Sequence, residues 1–557
     1  MFHPSWRRQA LAELERPFDL VVLGGGITGC GILLDAAQRG LRVLLIERDD
    51  LASGTSSRSS KLIHGGLRYL KQLQLRVTRD SCRERDLQIA LNPHLVTAQR
   101  WIYPSYEDDG TPAWTVELGL RIYDRLTRLP DKHRRLDPTD LDELAPGLAR
   151  RGLDRTLSYL DARVDDARLT LAVAATGAAY GGTVLTRAVL EAPLHDAGGR
   201  LCGLVVRDLE QPESSGSGHN ATHRVEAALI VNAAGVWVDR VRHQLGFEGS
   251  RVQPSRGSHL VLPAAKLPLS AAVTARAPDR RPVFFIPHPE GVLVGTTDLF
   301  HHGELDDPRP TEAEVDYLLS AVNSAFPDAG LGWQDVLGTF AGLRPVLSHG
   351  HDDPSKASRE EAIWHERGLL SVAGGKLTTW RAMAEQVVDR ALTLLPPERV
   401  RWTSPCATAG TPLAGLAPAD LAARLEHAEA LEPTVAEGLA RRLGAGAWSA
   451  LAGADGDPRE LRPIVDGSDL CRAEVRAHLR GGAVLHLSDL LLRRVRLGMW
   501  QPALADELLP HLESTIRHEL GWTAERWDAE CARYQRAAEA WQPRGIVGAS
   551  SSAEPGG

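Results

Sequence analysis

The stretch DLVVLGGGITGCGILLDAAQRGLRVLLIE, residues 19–47, decides the fold of this chain. Its first apolar run is typical of a buried parallel strand, its middle part of a helix that ends at Gly40, and LRVLLIE of a second strand. Two strands joined in this way by a helix form a βαβ unit. The sequence therefore predicts an α/β domain built on a parallel sheet.

Glycines stand where the first strand meets the helix. Gly24, Gly26 and Gly29 form the pattern G-x-G-x-x-G. The first permits a tight turn, the second lets the backbone approach a pyrophosphate, and the third lets the helix pack on the strand. Glu47 ends the second strand eighteen residues after Gly29, where a carboxylate can accept hydrogen bonds from ribose hydroxyls. The pattern predicts a dinucleotide site and does not separate NAD from FAD.

Residues 53–70, SGTSSRSSKLIHGGLRYL, favour FAD. A loop so rich in hydroxyl groups and glycine suits a chain that runs beside phosphates and a flat ring, and NAD-binding domains do not usually need one. His64 has two interpretations, a non-covalent contact with the flavin or a covalent link to it. The side chains of this loop that we expect to contact the cofactor are Thr55, Ser56, Ser57, Ser60, Lys61 and His64.

Two later segments are predicted to complete the cofactor site. In residues 228–239, ALIVNAAGVWVD, a strand runs into small residues, so Ala233 and Gly235 are expected beside the first glycines. In residues 368–392 a strand, a glycine turn and a helix follow one another. The N-terminus of that helix would stabilise negative charge on the flavin pyrimidine ring. The residues expected there are Gly374, Gly375, Leu377 and Thr378, with the helix beginning near Thr378.

Several longer motifs, SSKLIHGGLRYL, VDDARL, GSHLVLP, GTTD, GLRP and GGKLTTW, follow one another in this order. With them the sequence resembles the family of FAD-dependent glycerol-3-phosphate dehydrogenases, the aerobic, quinone-linked respiratory enzymes. The resemblance covers about residues 18–390 and is weaker in the C-terminal part, through LRRVRLGMW. It implies a discontinuous, Rossmann-like FAD-binding domain of the glycine oxidase and amino-acid oxidase type, a mixed-sheet substrate domain and a helical C-terminal domain.

The motifs and shifts in composition divide the chain into predicted segments. The FAD-binding domain takes residues 18–75, 156–252 and 341–398; the substrate domain takes 76–155 and the strand-rich 253–340; a helical domain takes 403–543 and a disordered tail 544–557.

The resemblance also implies a substrate site. His259 is the expected catalytic base because imidazole titrates near neutral pH, although it would alternatively only orient the substrate. Arg344 stays protonated and is expected to stabilise the forming alkoxide. The residues expected to bind the phosphate and hydroxyl groups are Arg68, Tyr69, Arg359 and Lys376, and a phosphate dianion favours such cations. Arg359 precedes Glu360 instead of the family's usual aspartate, and Trp380 stands where a tyrosine is common.

Composition limits the partners. The net charge of -8 and pI near 6.2 predict no nucleic-acid partner. Six cysteines without ligand-like spacing predict neither a metal site nor disulfides, which fits the cytoplasm. Quinone coupling implies peripheral attachment to the inner face of the cytoplasmic membrane. The candidate stretches are Leu490–Trp500 and the N-terminal helix with Arg7 and Arg8, with ordinary packing as the alternative. A homodimer is left open.

The predicted reaction is oxidation of sn-glycerol 3-phosphate to dihydroxyacetone phosphate, with hydride transfer to FAD and electrons passed on to a membrane quinone. Three alternatives stay open at this point. The chain could be a glycerol-3-phosphate oxidase that uses oxygen, or a related FAD-dependent enzyme acting on a 2-hydroxy acid or an amine. From a different class, it could be a non-catalytic flavin-binding scaffold.

Overall fold

The structure is a computed structural model, and it describes residues 2–71, 74–211, 222–348, 361–429 and 431–543. The predicted tail at 544–557 lies outside the described residues. Within the described part of the chain, none of the helices has the length and apolar character needed to cross a membrane.

The strands follow the predicted order along the chain. They are β1 (Phe18–Leu23), β2 (Val43–Ile46), β3 (Leu62–Ile63), β4 (Val96–Tyr106), β5 (Arg134–Arg135), β6 (Leu153–Val164), β7 (Thr183–Leu185), β8 (Ala188–His195), β9 (Leu201–Asp208), β10 (Thr222–Asn232), β11 (Val252–Leu262), β12 (Ala272–Arg276), β13 (Pro282–His288), β14 (Gly291–Gly295), β15 (Leu299–Phe300), β16 (Gly338–Leu347), β17 (Ala362–Glu366) and β18 (Leu369–Ala373).

The helices dominate the C-terminal third. They are α1 (Trp6–Glu13), α2 (Ile27–Gln38), α3 (Leu67–Lys71), α4 (Leu75–Leu91), α5 (Ala113–Leu126), α6 (Pro138–Leu144), α7 (Asp166–Ala179), α8 (Val238–Gln244), α9 (Glu312–Ala325), α10 (Trp380–Leu392), α11 (Pro397–Val400), α12 (Leu421–Glu429), α13 (Pro433–Leu443), α14 (Gly446–Ala452), α15 (Arg472–Gly481), α16 (Leu487–Asp489), α17 (Leu497–Trp500), α18 (Pro502–Leu520) and α19 (Ala524–Ala538).

The first sheet has the order β17-β18-β10-β1-β2-β7. Its central strands are parallel, and Leu23 at the end of β1 lies between Ile46 of β2 and Asn232 of β10. The antiparallel strands β8 and β9 extend the sheet from the first half of β10. Because β1, β2 and β10 end side by side, the residues that follow them meet at one edge, which is where doubly wound sheets bind ligands. The predicted βαβ unit is confirmed.

The second sheet has the order β15-β11-β14-β13-β12-β4-β6-β3, with β16 beside β11 and β5 beside β6. Strands β13 and β14 form a hairpin across the turn after His288. The predicted domain boundaries at 155/156 and 340/341 need correction, because they fall inside β6 and β16, which both belong to this sheet. The two sheets with a helical C-terminal part otherwise confirm the expected fold class.

A buried ion network joins the C-terminal helices to the first sheet. Asp50, four residues after the end of β2, accepts hydrogen bonds from both Arg493 and Arg494, one of them at 2.9 Å. Asp489 is bonded in turn by Arg493 at 2.8 Å and by Arg187. These five side chains are buried. Each of these buried charges therefore has a partner of opposite sign where the C-terminal helices meet the first sheet and water is excluded.

The burial of Leu490–Trp500 corrects the expectation that this stretch binds the membrane. Every residue of Leu490–Trp500 is buried, so the packing alternative holds and the stretch offers no face to a bilayer. In the N-terminal helix Arg7 bonds Asp208 and the carbonyl oxygen of Thr186, whereas Arg8 is exposed. The basic residues of these segments serve largely to connect parts of the protein.

Replacing Asp50 with alanine should destabilise the protein. Two buried guanidinium groups would lose their shared carboxylate, and breaking a buried pair in this way costs about 3–5 kcal/mol. Denaturant unfolding should register that loss in the free energy of unfolding. The matched control is Asp49→Ala, because the Asp49 side chain is 43% exposed and its partner Arg187 would keep its hydrogen bond to Asp489; we expect it to cost no more than about 1 kcal/mol. Equal effects of the two substitutions would contradict the anchoring role of Asp50.

Candidate active site

One large cavity is lined by both sheets and has a volume of about 1240 Å³. Pockets for a single small ligand are about 300–1,000 Å³. The space therefore accommodates a dinucleotide together with a small substrate. Its walls include the ends of β1 and β2 from the first sheet and residues of β4, β11 and β16 from the second.

The glycine fingerprint lines one end of this cavity through its backbone. Gly24 has φ +113°, and a Cβ atom there would lie 2.7 Å from the carbonyl oxygen of Ala233. A Cβ atom on Gly29 would lie 1.9 Å from the carbonyl oxygen of Gly24, so Gly29 serves helix packing as predicted and does not line the cavity. Gly26 caps α2 without a side-chain hydrogen bond. The N-terminus of α2 faces the cavity, and its first N–H, that of Ile27, donates to Ser56 Oγ.

Glu47 stands at the end of β2 and lines the same end of the cavity. Its two carboxylate oxygens accept hydrogen bonds from the backbone N–H groups of Gly25 at 2.6 Å and Asp49 at 2.7 Å. Burial raises the pKa of Glu47, and the two hydrogen bonds offset only part of that rise. The carboxylate is therefore fixed next to the glycine turn, in the position expected for a ribose contact.

The hydroxyl-rich loop runs from the first sheet to the second. Ser56 Oγ accepts a hydrogen bond from the Ile27 N–H at 2.9 Å, and Thr55 Oγ1 donates to the carbonyl oxygen of Leu343 at 2.6 Å. Farther along, the His64 N–H donates to Thr378 Oγ1 at 3.1 Å. The loop and the glycine turn after β18 are thereby held together.

The glycine turn itself has the predicted local form. Gly374 and Gly375 have φ values of +80° and +82°, which favour glycine. A single 3₁₀ turn, Leu377–Thr379, precedes α10, so the regular helix begins two residues later than predicted. Lys376 reaches over the ring of Tyr69, with Nζ 3.9 Å from the ring centroid. Two residues expected at the substrate therefore lie side by side on the cavity wall.

His259 lies on β11, between Gly295 of β14 and Phe340 of β16. A Cβ atom on Gly295 would lie 2.3 Å from the imidazole ring, so glycine at that position makes room for the ring. The ring stacks on Phe340 with centroids 4.7 Å apart and planes 13° apart. Its Nε2 is 2.8 Å from Ser60 Oγ. The imidazole is thus held by packing on one side and by a hydrogen bond on the other.

The surroundings of His259 favour its neutral form. Burial lowers the pKa of His259 well below its ordinary value, and the cationic groups of Arg344 and Lys61 lower it further. A neutral imidazole can accept a proton, whereas an imidazolium cannot. The site therefore favours the neutral imidazole, the form that can accept a proton.

Arg344 lies on β16 and passes over Gly257 of the neighbouring strand. A Cβ atom on Gly257 would lie 2.3 Å from Arg344 Nη2, so this glycine leaves space for the guanidinium group. Arg344 donates to Asp298 Oδ1 at 3.0 Å and to Thr296 Oγ1 at 3.1 Å. The guanidinium group is held at the cavity wall beside the β strand that carries His259.

The structure brings most of the predicted site residues to the cavity. They are Gly24, Gly26, Glu47, Thr55, Ser56, Ser60, His64, Tyr69, Ala233, Gly235, His259, Arg344, Gly374, Gly375, Lys376, Leu377 and Thr378. Arg359 and the side chain of Arg68 lie outside the described residues. Ser57 and Lys61 do not line the cavity: the Ser57 hydroxyl donates to the Gly54 carbonyl oxygen, and the Lys61 ammonium group pairs with Asp166. These two expected cofactor contacts are corrected.

Sequence reasoning missed residues at both ends of the cavity. Asp298, which holds Arg344, belongs to the GTTD motif, and that motif could have drawn attention to it. Asp306, which does not itself line the cavity, accepts hydrogen bonds from three residues that line the dinucleotide end: from Trp237 Nε1 at 2.7 Å and from Arg48 and Arg240. No local pattern links Asp306 with these side chains, because they come from three separate segments.

The residues present fit an FAD molecule. The cavity is large enough, the glycine cradle would be filled by any Cβ atom at Gly24, and the N-terminus of α2, with glycine at its cap and Ser56 Oγ on the Ile27 N–H, faces the space that a pyrophosphate would take. Gly24, Glu47, Ser56 and the turn at Gly374 are the groups that would hold the cofactor.

Comparisons with known proteins agree with this geometry. The family profile of FAD dependent oxidoreductases matches residues 19–390, and the C-terminal domain of alpha-glycerophosphate oxidase matches residues 406–527. Glycerol-3-phosphate dehydrogenase 2 of Mycobacterium tuberculosis is 36% identical over 552 residues, covering 96% of this chain and 90% of that protein. The chain belongs to the family of FAD-dependent glycerol-3-phosphate dehydrogenases.

Other members of this family support the assignment. The aerobic glycerol-3-phosphate dehydrogenase of Bacillus subtilis is 36% identical over 405 residues, covering 72% of this chain and 71% of that protein. The solved glycerol-3-phosphate dehydrogenase from Bacillus halodurans, complexed with FAD, has 29% identity and a TM-score of 0.78, covering 97% of this chain and 98% of that one. The expectation that FAD is the cofactor is confirmed at the level of the family.

Replacing Gly24 with alanine should abolish retention of FAD. The new Cβ atom would meet the Ala233 carbonyl group and would adopt a φ that L residues disfavour. The matched control is Gly40→Ala, because Gly40 also has positive φ, at +92°, but its Cβ atom would enter open space. The visible flavin absorbance of each purified protein measures the bound fraction. A Gly24→Ala protein with a full complement of FAD would contradict the predicted role.

Proposed function

We propose that this protein oxidises the C2 hydroxyl group of sn-glycerol 3-phosphate and so forms dihydroxyacetone phosphate. The observation that carries the proposal is one cavity that joins the dinucleotide-binding glycines to His259, Arg344 and Lys376. The relatives that match most of the chain carry the name glycerol-3-phosphate dehydrogenase. When bound, FAD would supply the two-electron acceptor for this oxidation.

The cationic wall supports a phosphorylated substrate. Lys376 lies over Tyr69 at the cavity wall, and Arg68 directly precedes Tyr69 in α3. Arg359 completes the set in our proposal. A phosphate dianion matches several cations, whereas a 2-hydroxy acid or an amine substrate would require one carboxylate clamp. This difference in charge favours the phosphate ester over the related substrates.

His259 is the group that we propose takes the hydroxyl proton. Its ring is held against Phe340, and its Nε2 faces Ser60 at the cavity wall. Arg344 would stabilise the negative charge that grows on the substrate oxygen as the proton leaves, because a guanidinium group stays protonated. The presence of a base and two fixed cations in one cavity also argues against a non-catalytic scaffold.

Glycerol 3-phosphate should bleach the oxidised flavin rapidly in stopped-flow measurements, and glycerol should not. A His259→Asn variant should reduce flavin about 10²–10⁴-fold more slowly, since that is what a general base contributes. Because the pKa of His259 is lowered, the wild-type rate should hold steady as pH falls to 6.5 and decline only on further acidification. Flavin reduction by glycerol or a 2-hydroxy acid, with none by the phosphate ester, would overturn the proposed substrate.

For the electron acceptor we propose a quinone at a membrane surface. Trp114, Leu118 and Ile122 are exposed and four residues apart on α5, so they form one apolar face. The exposed Arg125 lies on the same helix, which suits an anionic bilayer. Thr111, just before this helix, lines the cavity. The apolar face thus lies close in sequence to the substrate cavity.

Oxygen is the second candidate acceptor. The C-terminal helices match the domain of alpha-glycerophosphate oxidase, and that match is the observation in its favour. An oxidase would release peroxide and need no membrane. The acceptor therefore has to be decided by measurement on the purified holoprotein.

Anionic phospholipid vesicles that contain quinone should accept electrons from the protein, with little oxygen uptake at an electrode. The triple variant Trp114→Ser, Leu118→Ser, Ile122→Ser should lose co-sedimentation with the vesicles and slow quinone reduction, while flavin reduction by substrate stays normal. The matched control is Trp402→Ser, because Trp402 is 82% exposed but lies in a different segment. Rapid oxygen uptake without quinone reduction would favour the oxidase instead.

A further inference from the structure

Lys61 is a buried lysine that does not line the cofactor cavity. It is one of six lysines among 64 basic residues, so arginine is used at most positions that need only a positive charge. Its Nζ lies 3.0 Å from the carbonyl oxygen of Ser57 and 3.0 Å from Asp166 Oδ1. The side chain is 1% exposed. Lys61 therefore serves a specific contact inside the protein.

Arg496 of the C-terminal region binds the same two groups. Its Nη2 donates to the Ser57 carbonyl oxygen at 3.2 Å, and its Nη1 lies 3.2 Å from Asp166 Oδ1. It also reaches Asp165 at 3.4 Å. Lys61 belongs to the hydroxyl-rich loop, and Arg496 lies more than 400 residues later. These two cations thus share the Asp166 carboxylate and the Ser57 carbonyl oxygen.

These contacts fix both ends of a short segment that carries Ser60. Asp166 accepts hydrogen bonds from the backbone N–H of Ser59 at 3.0 Å and from its hydroxyl group at 2.7 Å. Ser60, in the middle of the segment, presents its Oγ to Nε2 of His259 at 2.8 Å. Lys61 Nζ lies 5.0 Å from the centroid of the Phe340 ring on which His259 stacks.

We propose that Lys61 and Arg496 are positioning residues for His259, which hold the segment from Ser57 to Lys61 so that Ser60 faces the imidazole ring. The inference rests on the proposed function, because it assumes that His259 accepts the substrate proton. Through Arg496, the C-terminal domain becomes part of the catalytic arrangement. Neither residue touches the cavity itself.

The same arrangement has an electrostatic consequence. The charged groups that act on the imidazole ring are Arg344 from β16, Lys61 from the loop and Asp166 from α7. The positive charge of Lys61 lowers the pKa of His259. Removing that charge should raise the pKa of His259 and move the acidic limb of the pH profile to higher pH. A role limited to packing would not move this limb.

The test uses the holoenzymes of Lys61→Met, Arg496→Met and Arg496→Lys. Each single substitution leaves Asp166 one cationic partner, so the fold should survive, and FAD content and thermal melting verify this. We expect Lys61→Met to lower the limiting rate of flavin reduction at least tenfold, with an acidic limb at higher pH and a substrate affinity within about twofold of wild type. Arg496→Met should also lower the rate, and Arg496→Lys should restore much of it.

The matched control is Arg480→Met, because Arg480 lies in the same domain but pairs with Glu519 near the surface. It should leave the rate and the pH profile unchanged. A Lys61→Met protein with the wild-type limiting rate per bound flavin and the wild-type acidic limb would overturn the inference. A rate loss in Arg496→Met that lysine does not restore would equally remove Arg496 from it.

A measurement without substrate separates this inference from the proposed function. The absorption spectrum of bound oxidised FAD, titrated with acid, should change with ionisation of His259, and His259→Asn should lose that change. In Lys61→Met the transition should lie at higher pH than in wild type; an unchanged transition would overturn the inference whatever the substrate is. Failure of glycerol 3-phosphate to reduce wild-type flavin, with the spectral shift intact, would overturn only the proposed function.

Discussion

The buried carboxylate of Asp166 is the interaction on which much of this structure depends. Asp166 begins α7, a helix of the FAD-binding half; its carboxylate accepts hydrogen bonds from Ser59 and Lys61 and forms an ion pair with Arg496. Ser59 and Lys61 belong to the hydroxyl-rich loop, and Arg496 belongs to the C-terminal region. One charged group therefore connects three parts of the chain, and its burial is tolerable only because each oxygen has cationic or hydrogen-bonding partners.

The sequence predicted the fold well where local periodicity determines it. The segment from Asp19 to Glu47 combines a strand, a helix and a strand with glycines whose conformations leave few alternatives, and the structure has these elements at the expected places. The turn at Gly374 was predictable for the same reason. Domain boundaries were harder, because β16 continues through the predicted boundary at 340 with no local change in pattern.

The sequence predicted which residues line the candidate site better than it predicted which groups those residues contact. His259, Arg344 and Lys376 line the cavity as the motifs indicated. Lys61 was assigned to the cofactor because it lies in a polar loop, yet its partner Asp166 is 105 residues away in sequence. Such long-range pairing leaves no signal in a local pattern. The membrane-binding interpretation of Leu490–Trp500 was wrong for the same reason, since its arginines pair with carboxylates that are distant in sequence.

The bonds from Arg493 and Arg494 to Asp50 bear on how the protein is made. About 443 residues separate Arg493 from Asp50, which takes roughly 20–90 s of synthesis at ribosomal rates. During that time Asp50 must stay hydrated or neutralised by other means, so the region beside the glycine fingerprint cannot reach its final packing. We therefore expect the cofactor site to be completed late in folding, after the last helices have docked onto the first sheet.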